Sequence, residues 1–156
     1  MIDTSLETDA FLTAVRTLLS GGTIAELTAD NVVEWHHGVT DPDEDIKNSA
    51  GKCNGVSVLI YDLGGNGTEE GSDLIQADAA IELFVDTTKR NRRKTPALRT
   101  GGQIRDAIMR LVHRHANLRN TAAYADSWVK GYQVLDDPEF AAWRITLTRK
   151  IYLDLD

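Results

Sequence analysis

Residues 75–86 read IQADAAIELFVD. Ile75, Ala77, Ala79, Ile81, Leu83 and Val85 take every second place, between Gln76, Asp78, Ala80, Glu82, Phe84 and Asp86. A period of two over this length fits an extended strand with one buried face; an α-helix would repeat its apolar stripe at 3.6. The same alternation returns at the end of the chain, where Trp143, Ile145, Leu147, Arg149, Ile151, Leu153 and Leu155 form one row. Arg149 interrupts that row, and marks either a bulge or the point where the strand leaves the core.

Two more strands are predicted beside these. Val56, Val58 and Ile60 alternate with Ser57, Leu59 and Tyr61, which gives a strand at about 55–63. Trp128, Lys130, Tyr132 and Val134 alternate with Val129, Gly131, Gln133 and Leu135, and Asp136-Asp137-Pro138-Glu139 turns that strand into the last one. Helices are marked by a different spacing. Thr4 and Glu7 have capping-box spacing, and Leu6, Phe11, Val15, Leu18 and Leu19 follow, so a helix is expected from about 5 to 19, stopped by Gly21-Gly22. A second short helical piece is expected over 23–28. Ile104, Ala107, Ile108, Leu111, Val112 and His115 fall on one helical face, with Thr100 or Gly101 as the start.

The order is helix, strand, strand, helix, strand, strand. It predicts an α+β fold of two layers: a mainly antiparallel four-stranded sheet with two helices packed on one face. At 156 residues the chain is expected to be a single domain, 1–156, with flexible loops at about 38–54, 64–73 and 89–99. The N-terminal MIDTSLETDAFL has no basic region leading into an apolar run, so no signal peptide is expected. No run approaches the length of a membrane span. One cysteine, Cys53, excludes an internal disulfide and suits a reducing compartment.

Charge is distributed unevenly. The whole chain carries −7, yet residues 89–119 hold ten Lys/Arg against one acid, Asp106, which is +9 and leaves −16 elsewhere. The core of this stretch is KRNRRK, residues 89–94. With six like charges and little that is apolar, 89–99 is expected to be partly disordered in an isolated subunit.

Catalytic patterns are poorly matched. Ser57 follows Gly55 at the right spacing but lacks the second glycine of a nucleophile elbow, and lies mid-strand. Gly64-Gly65-Asn66-Gly67 is followed by acids, which repel phosphate, and reads as a hairpin tip; Gly101-Gly102 opens a helix but lacks a P-loop lysine. Counting a calcium loop from Asp41 puts Ile46 and Lys52 where glycine and glutamate belong. His36-His37 and His113-x-His115 have the wrong spacing for one metal, and capping or surface roles fit them better. Asp78, Glu82 and Asp86 share a strand face, but four residues of strand separate neighbours by roughly 13 Å. No enzyme, no cofactor and no metal site are predicted.

The stretches Asp9–Leu19, Gly55–Asp62, Ala79–Thr88, Gly101–His115 and Trp128–Asp156, in this order, give the chain a texture that resembles the tail terminator and tail completion (head–tail joining) proteins of tailed bacteriophages. The resemblance implies a non-enzymatic virion protein, assembled in the bacterial host cytoplasm. It implies a hexameric ring that caps the tail tube, stops its polymerisation and joins tail to head, with DNA passing through; such a subunit can stay monomeric until it meets its target. Ring closure needs two different patches that fit each other. Lys89, Arg90, Arg92, Arg93, Lys94 and Arg99 are the expected partner-binding residues, and Asp41, Asp43, Glu44, Asp45, Glu69 and Glu70 the acidic counter-patch. The same basic residues leave open a second reading, a small nucleic-acid-binding module.

Overall fold

A computed structural model describes residues 9–36, 42, 46, 50, 55–67, 74–86, 88, 98–118 and 127–152. The fold is α+β. In chain order it runs α1 (Asp9–Leu19), β1 (Val32–Glu34), β2 (Val56–Gly67), β3 (Leu74–Val85), α2 (Gly101–Val112), a 3-10 turn at Ala116–Leu118, β4 (Ser127–Leu135) and β5 (Ala141–Tyr152). The sheet order is β1-β2-β3-β5-β4. Strands β2, β3, β5 and β4 are antiparallel neighbours, as the alternation predicts.

The four-stranded, antiparallel expectation needs one correction. A fifth strand, β1, joins parallel to β2, with Val32, Val33 and Glu34 opposite Val58, Leu59 and Ile60. It is held by groups distant in sequence. Asn31, fully buried, donates to Glu26 O at 2.8 Å and Val56 O at 3.1 Å, and accepts from the Thr28 N–H at 2.7 Å. From α1, Arg16 Nε donates to the Val32 carbonyl at 2.9 Å and Nη2 to that of Ala29 at 3.1 Å. The helical piece expected over 23–28 is instead a series of bends and turns, with Leu27 N bonded to Ile24 O at 3.0 Å.

Both helices bury their apolar stripes in one cluster on one face of the sheet. Phe11, Leu12, Val15 and Leu19 of α1 and Ile104, Ile108 and Val112 of α2 meet Val56, Val58, Ile60, Ile81, Leu83, Ile145 and Leu147 there. Helix α1 packs over β1 and β2, and α2 over β3, β5 and β4. Thr100 caps α2 in a complete capping box: its hydroxyl accepts from Gln103 N at 3.1 Å, and Gln103 Oε1 accepts from Thr100 N at 2.8 Å.

Three further differences concern loops and Arg149. The loop expected at 64–73 begins later, because β2 continues through Gly67; a register shift between Asp62 and Gly64, with Gly64 at φ +94°, bends the strand instead of ending it. Within 38–54, Ile46 is buried against Leu59, Phe84 and Ala142 on the second face, and its N–H bonds to Pro42 O at 3.0 Å. Arg149 marks neither a bulge nor an exit. It is fully buried on the helix face, opposite Ala77 and Ser127, with its guanidinium 4.1 Å from the Phe11 ring centroid.

Candidate interaction surfaces

Lys89, Arg90, Arg92, Arg93 and Lys94 lie outside the described residues, as do all six acids of the expected counter-patch, Asp41, Asp43, Glu44, Asp45, Glu69 and Glu70. Arg99 is described, and it is already engaged within the chain. Its Nε and Nη2 donate to the two carboxylate oxygens of Glu26 at 2.6 and 2.5 Å. Planar two-point pairing of this kind orients both groups. It ties the approach to α2 to the turn that precedes β1, so Arg99 acts first as a strap between segments 73 residues apart.

Basic side chains gather at the end of α2 and the start of β4, while exposed Asp136 and Glu139 mark the far end of β4 and its turn. On the α2–β4 flank, Arg110, Arg114 and Lys130 are exposed, and Arg105 reaches across the sheet edge with its guanidinium 4.2 Å from the Tyr132 ring and 5.8 Å from that of Trp143. Asp106 holds Arg105 at 2.9 Å. On the α1–β1 flank, Asp9 and Asp30 are exposed and Glu34 is half-buried. His36 bridges two of these acids, with Nδ1 3.1 Å from Asp9 and Nε2 3.2 Å from Glu34. Only a ring protonated on both nitrogens donates to both at once. Arg16, the basic group of that flank, is turned onto backbone carbonyls.

The sheet face opposite the helices carries a polar row. Tyr61 donates to Glu82 Oε2, and Arg144 Nε donates to the same oxygen at 2.7 Å. Burial, with the Glu82 hydrogen bond and charge added to it, pushes the Tyr61 phenol up to about 12, against the opposing pull of Arg144. Trp35 stands edge-on to Tyr61 at 5.8 Å, and Phe84 to Phe140 at 5.7 Å. Beside this row a shallow recess of about 330 Å³ is lined by Asp78, Lys130, Gln133 and Arg144, where Lys130 Nζ sits 3.4 Å from Asp78.

Each acid of the 78–82–86 row therefore has its own partner: Asp78 has Lys130, Glu82 has Arg144, and Asp86 accepts from Thr88 Oγ1 at 2.6 Å. Among the described residues no three metal-ligating side chains gather, and no helix is long and apolar enough to cross a membrane. His113 and His115 serve backbone: Nδ1 of His113 accepts from Val129 N at 3.0 Å, and that of His115 from Asn117 N at 3.1 Å. No protein-family model matches the chain, and no curated protein matches it in sequence.

Proposed function

We propose that this chain is a structural subunit of a tailed-phage or prophage particle, forming a ring at the end of the tail tube that terminates the tail and joins it to the head. The observation that carries the reading is the opposition of the two flanks. Exposed Arg110 and Arg114 gather at the end of α2 and Lys130 near the start of β4, with the acids Asp136 and Glu139 at the far end of that strand and its turn; Asp9, Asp30 and Glu34 stand at the opposite end of the strand order. A cyclic ring needs this kind of heterologous contact, in which one flank of each subunit meets the other flank of the next. Unlike charges on the two flanks set register and speed of assembly more than final affinity. The basic 89–94 segment precedes α2 in sequence. The element order, which resembles that of tail terminator and completion proteins, supplies the rest of the reading: tail-tube and head-connector proteins as partners, DNA passage, and a place in the virion neck.

The test is assembly on tail tubes from the same particle, followed by sedimentation and negative-stain imaging. Expected is a ring of about six copies of the 17.2 kDa subunit at the tube end. Arg110→Glu with Arg114→Glu abolishes it, and Asp9→Lys with Glu34→Lys on a second batch of subunits restores mixed rings. Absence of any ring, together with tight DNA binding that weakens steeply with salt, overturns the reading in favour of a nucleic-acid-binding module.

A further inference from the structure

Strand β4 forms one edge of the sheet, and among the described residues only the beginning of that edge is covered. Ser127 O accepts from Arg114 N at 3.0 Å, and Val129 N donates to His113 Nδ1 at 3.0 Å, so the end of α2 covers the beginning of the strand. These two bonds also show which backbone groups point away from β5. Ser127 and Val129 lie opposite Arg149 and Leu147 and turn outward. The register then shifts by one residue at Lys130, and beyond it Tyr132 and Val134 lie opposite Ile145 and Trp143. Alternation along an antiparallel ladder therefore turns the N–H and C=O of Tyr132 and Val134 outward, and those of Gly131, Gln133 and Leu135 toward β5.

The same two residues are the large apolar side chains left in solvent on this strand: Val134 is 72% exposed and Tyr132 49%. An open strand edge that also shows apolar side chains is a template for another strand. The chemistry of residues 130–136, Lys-Gly-Tyr-Gln-Val-Leu-Asp, specifies which strand fits. Laid antiparallel on itself about Gln133, the segment sets Tyr132 opposite Val134 and Val134 opposite Tyr132. Both are outward-turned, so each such pair exchanges two backbone hydrogen bonds. Lys130, the extra residue at the register shift, stays on its own Asp78 on the face away from the helices. Gly131, beside which a side chain would find open space, falls opposite Leu135. Gln133 meets its own copy, amide to amide. A register one residue away, centred on Tyr132 or Val134, loses the apolar match.

We propose that two copies of this chain pair through β4, antiparallel about a two-fold axis at Gln133, so that their sheets join into one. The pairing rests on the edge strand alone. Its consequence for assembly rests on the ring reading: the pair occupies the α2–β4 flank that ring closure needs, so free subunits are held as dimers and a ring forms only when the tube displaces the partner.

The full chain decides this by sedimentation equilibrium and cross-linking. Wild type is expected near twice 17.2 kDa at about 100 µM. Val134→Pro removes an outward N–H and no bond of the subunit's own ladder, so it sediments as a folded monomer with unchanged circular dichroism. Tyr132→Asp, which sets a carboxylate opposite Val134 of the second copy, weakens the dimer about tenfold or more. In a Cys53→Ser background, Gln133→Cys oxidises to a covalent dimer, because facing residues of a non-hydrogen-bonded pair stand about 4.5 Å apart at Cα, within disulfide reach; Thr13→Cys on the exposed side of α1 does not. A wild-type monomer at that concentration, or a dimer untouched by Val134→Pro, overturns the pairing. A wild-type chain that is monomeric when free yet forms six-membered rings on tubes refutes the pairing while upholding the ring; a dimer that passes every arm but never yields rings on tubes upholds the pairing and refutes the ring.

Discussion

Arg144 donates from Nε to Glu82 Oε2 at 2.7 Å, from β5 to the facing position on β3, and Tyr61 on β2 donates to the same oxygen. One carboxylate thus links three adjacent strands on the face that the helices leave uncovered. Glu82 is nearly buried, with 9% of its side chain exposed, against 31% for Arg144. The two sides of this pair are therefore unequal, and so are the consequences of removing each.

Arg144→Ala leaves a buried carboxylate with Tyr61 as its remaining charge-stabilising donor on this face. It is expected to lower unfolding stability by about 1–3 kcal/mol, read from the urea midpoint. Arg99→Ala removes a two-point pair, but Arg99 is 39% exposed and Glu26 14%. Its loss is expected to cost about 0–1 kcal/mol, and the cost shrinks as salt is added. An equal effect for the two substitutions contradicts the difference in burial.

The tyrosine titration tests the same cluster. Tyr61 is raised from 10.0 to about 12, first by burial and then by Glu82. A raised folded-state pKa means that the unfolded chain releases the proton first. The stabilisation is full below pH 10 and is lost as pH rises toward about 12. Ultraviolet titration is expected to show one tyrosinate appearing near the top of that window. Glu82→Gln brings it down only in part, because burial remains.

Two adjacent glycines at the start of α2 are predicted to respond oppositely. A Cβ at Gly101 would strike the Trp143 ring, meeting Cζ3 at 2.6 Å, and would press Val85 Cγ2 at 3.3 Å. Gly101→Ala is expected to cost about 1–3 kcal/mol by overpacking. At Gly102 the nearest atoms are Thr100 Oγ1 at 3.8 Å and Arg105 Nη2 at 3.9 Å, ordinary contacts. Gly102→Ala is expected to gain about 0.4–1 kcal/mol, because alanine loses less backbone freedom on entering the helix. Thermal midpoints of the two variants should move in opposite directions.

Asn31 is the fourth test. Its amide serves Thr28 N, Glu26 O and Val56 O while fully buried. Asn31→Leu removes those partners and is expected to cost about 2–4 kcal/mol, by leaving buried backbone groups unsatisfied. Hydrogen exchange should show Val32–Glu34 losing protection before β3 does.

The dependence of β1 on Asn31 and Arg16 explains why the strand was not visible in the sequence. Three residues are too few for a period to show, and the groups that fix them come from α1 and from β2. β3 and β5 were legible because each alternates over twelve residues, although β3 proves buried on both faces from Ala79 to Val85, where one buried face was expected. Gly64–Gly67 misled in the other direction: glycines read as a turn when pattern alone is considered, yet here they continue a bent strand. Arg149 looked like a boundary because a cation rarely sits in a core, and its ring contact with Phe11 is non-local. The interaction surfaces were legible only in part. Alternation identifies β4 as a strand; it says nothing about which strand closes a sheet's edge, or that a bulge at Lys130 exchanges the backbone groups that face outward. Nor does the charge of Arg99 show that Glu26 already occupies it.

The Arg16 side chain on the Val32 carbonyl has a last consequence. A sheet open at both edges behaves as a bifunctional monomer, and strand addition carries it on into a filament. Here one end of the sheet is three residues long and stoppered by a guanidinium, and the other accepts one strand. In step-growth terms the backbone has a functionality of one, so strand pairing ends at two chains whatever the concentration. Any larger assembly must then be built through side chains on the flanks, where geometry can close it.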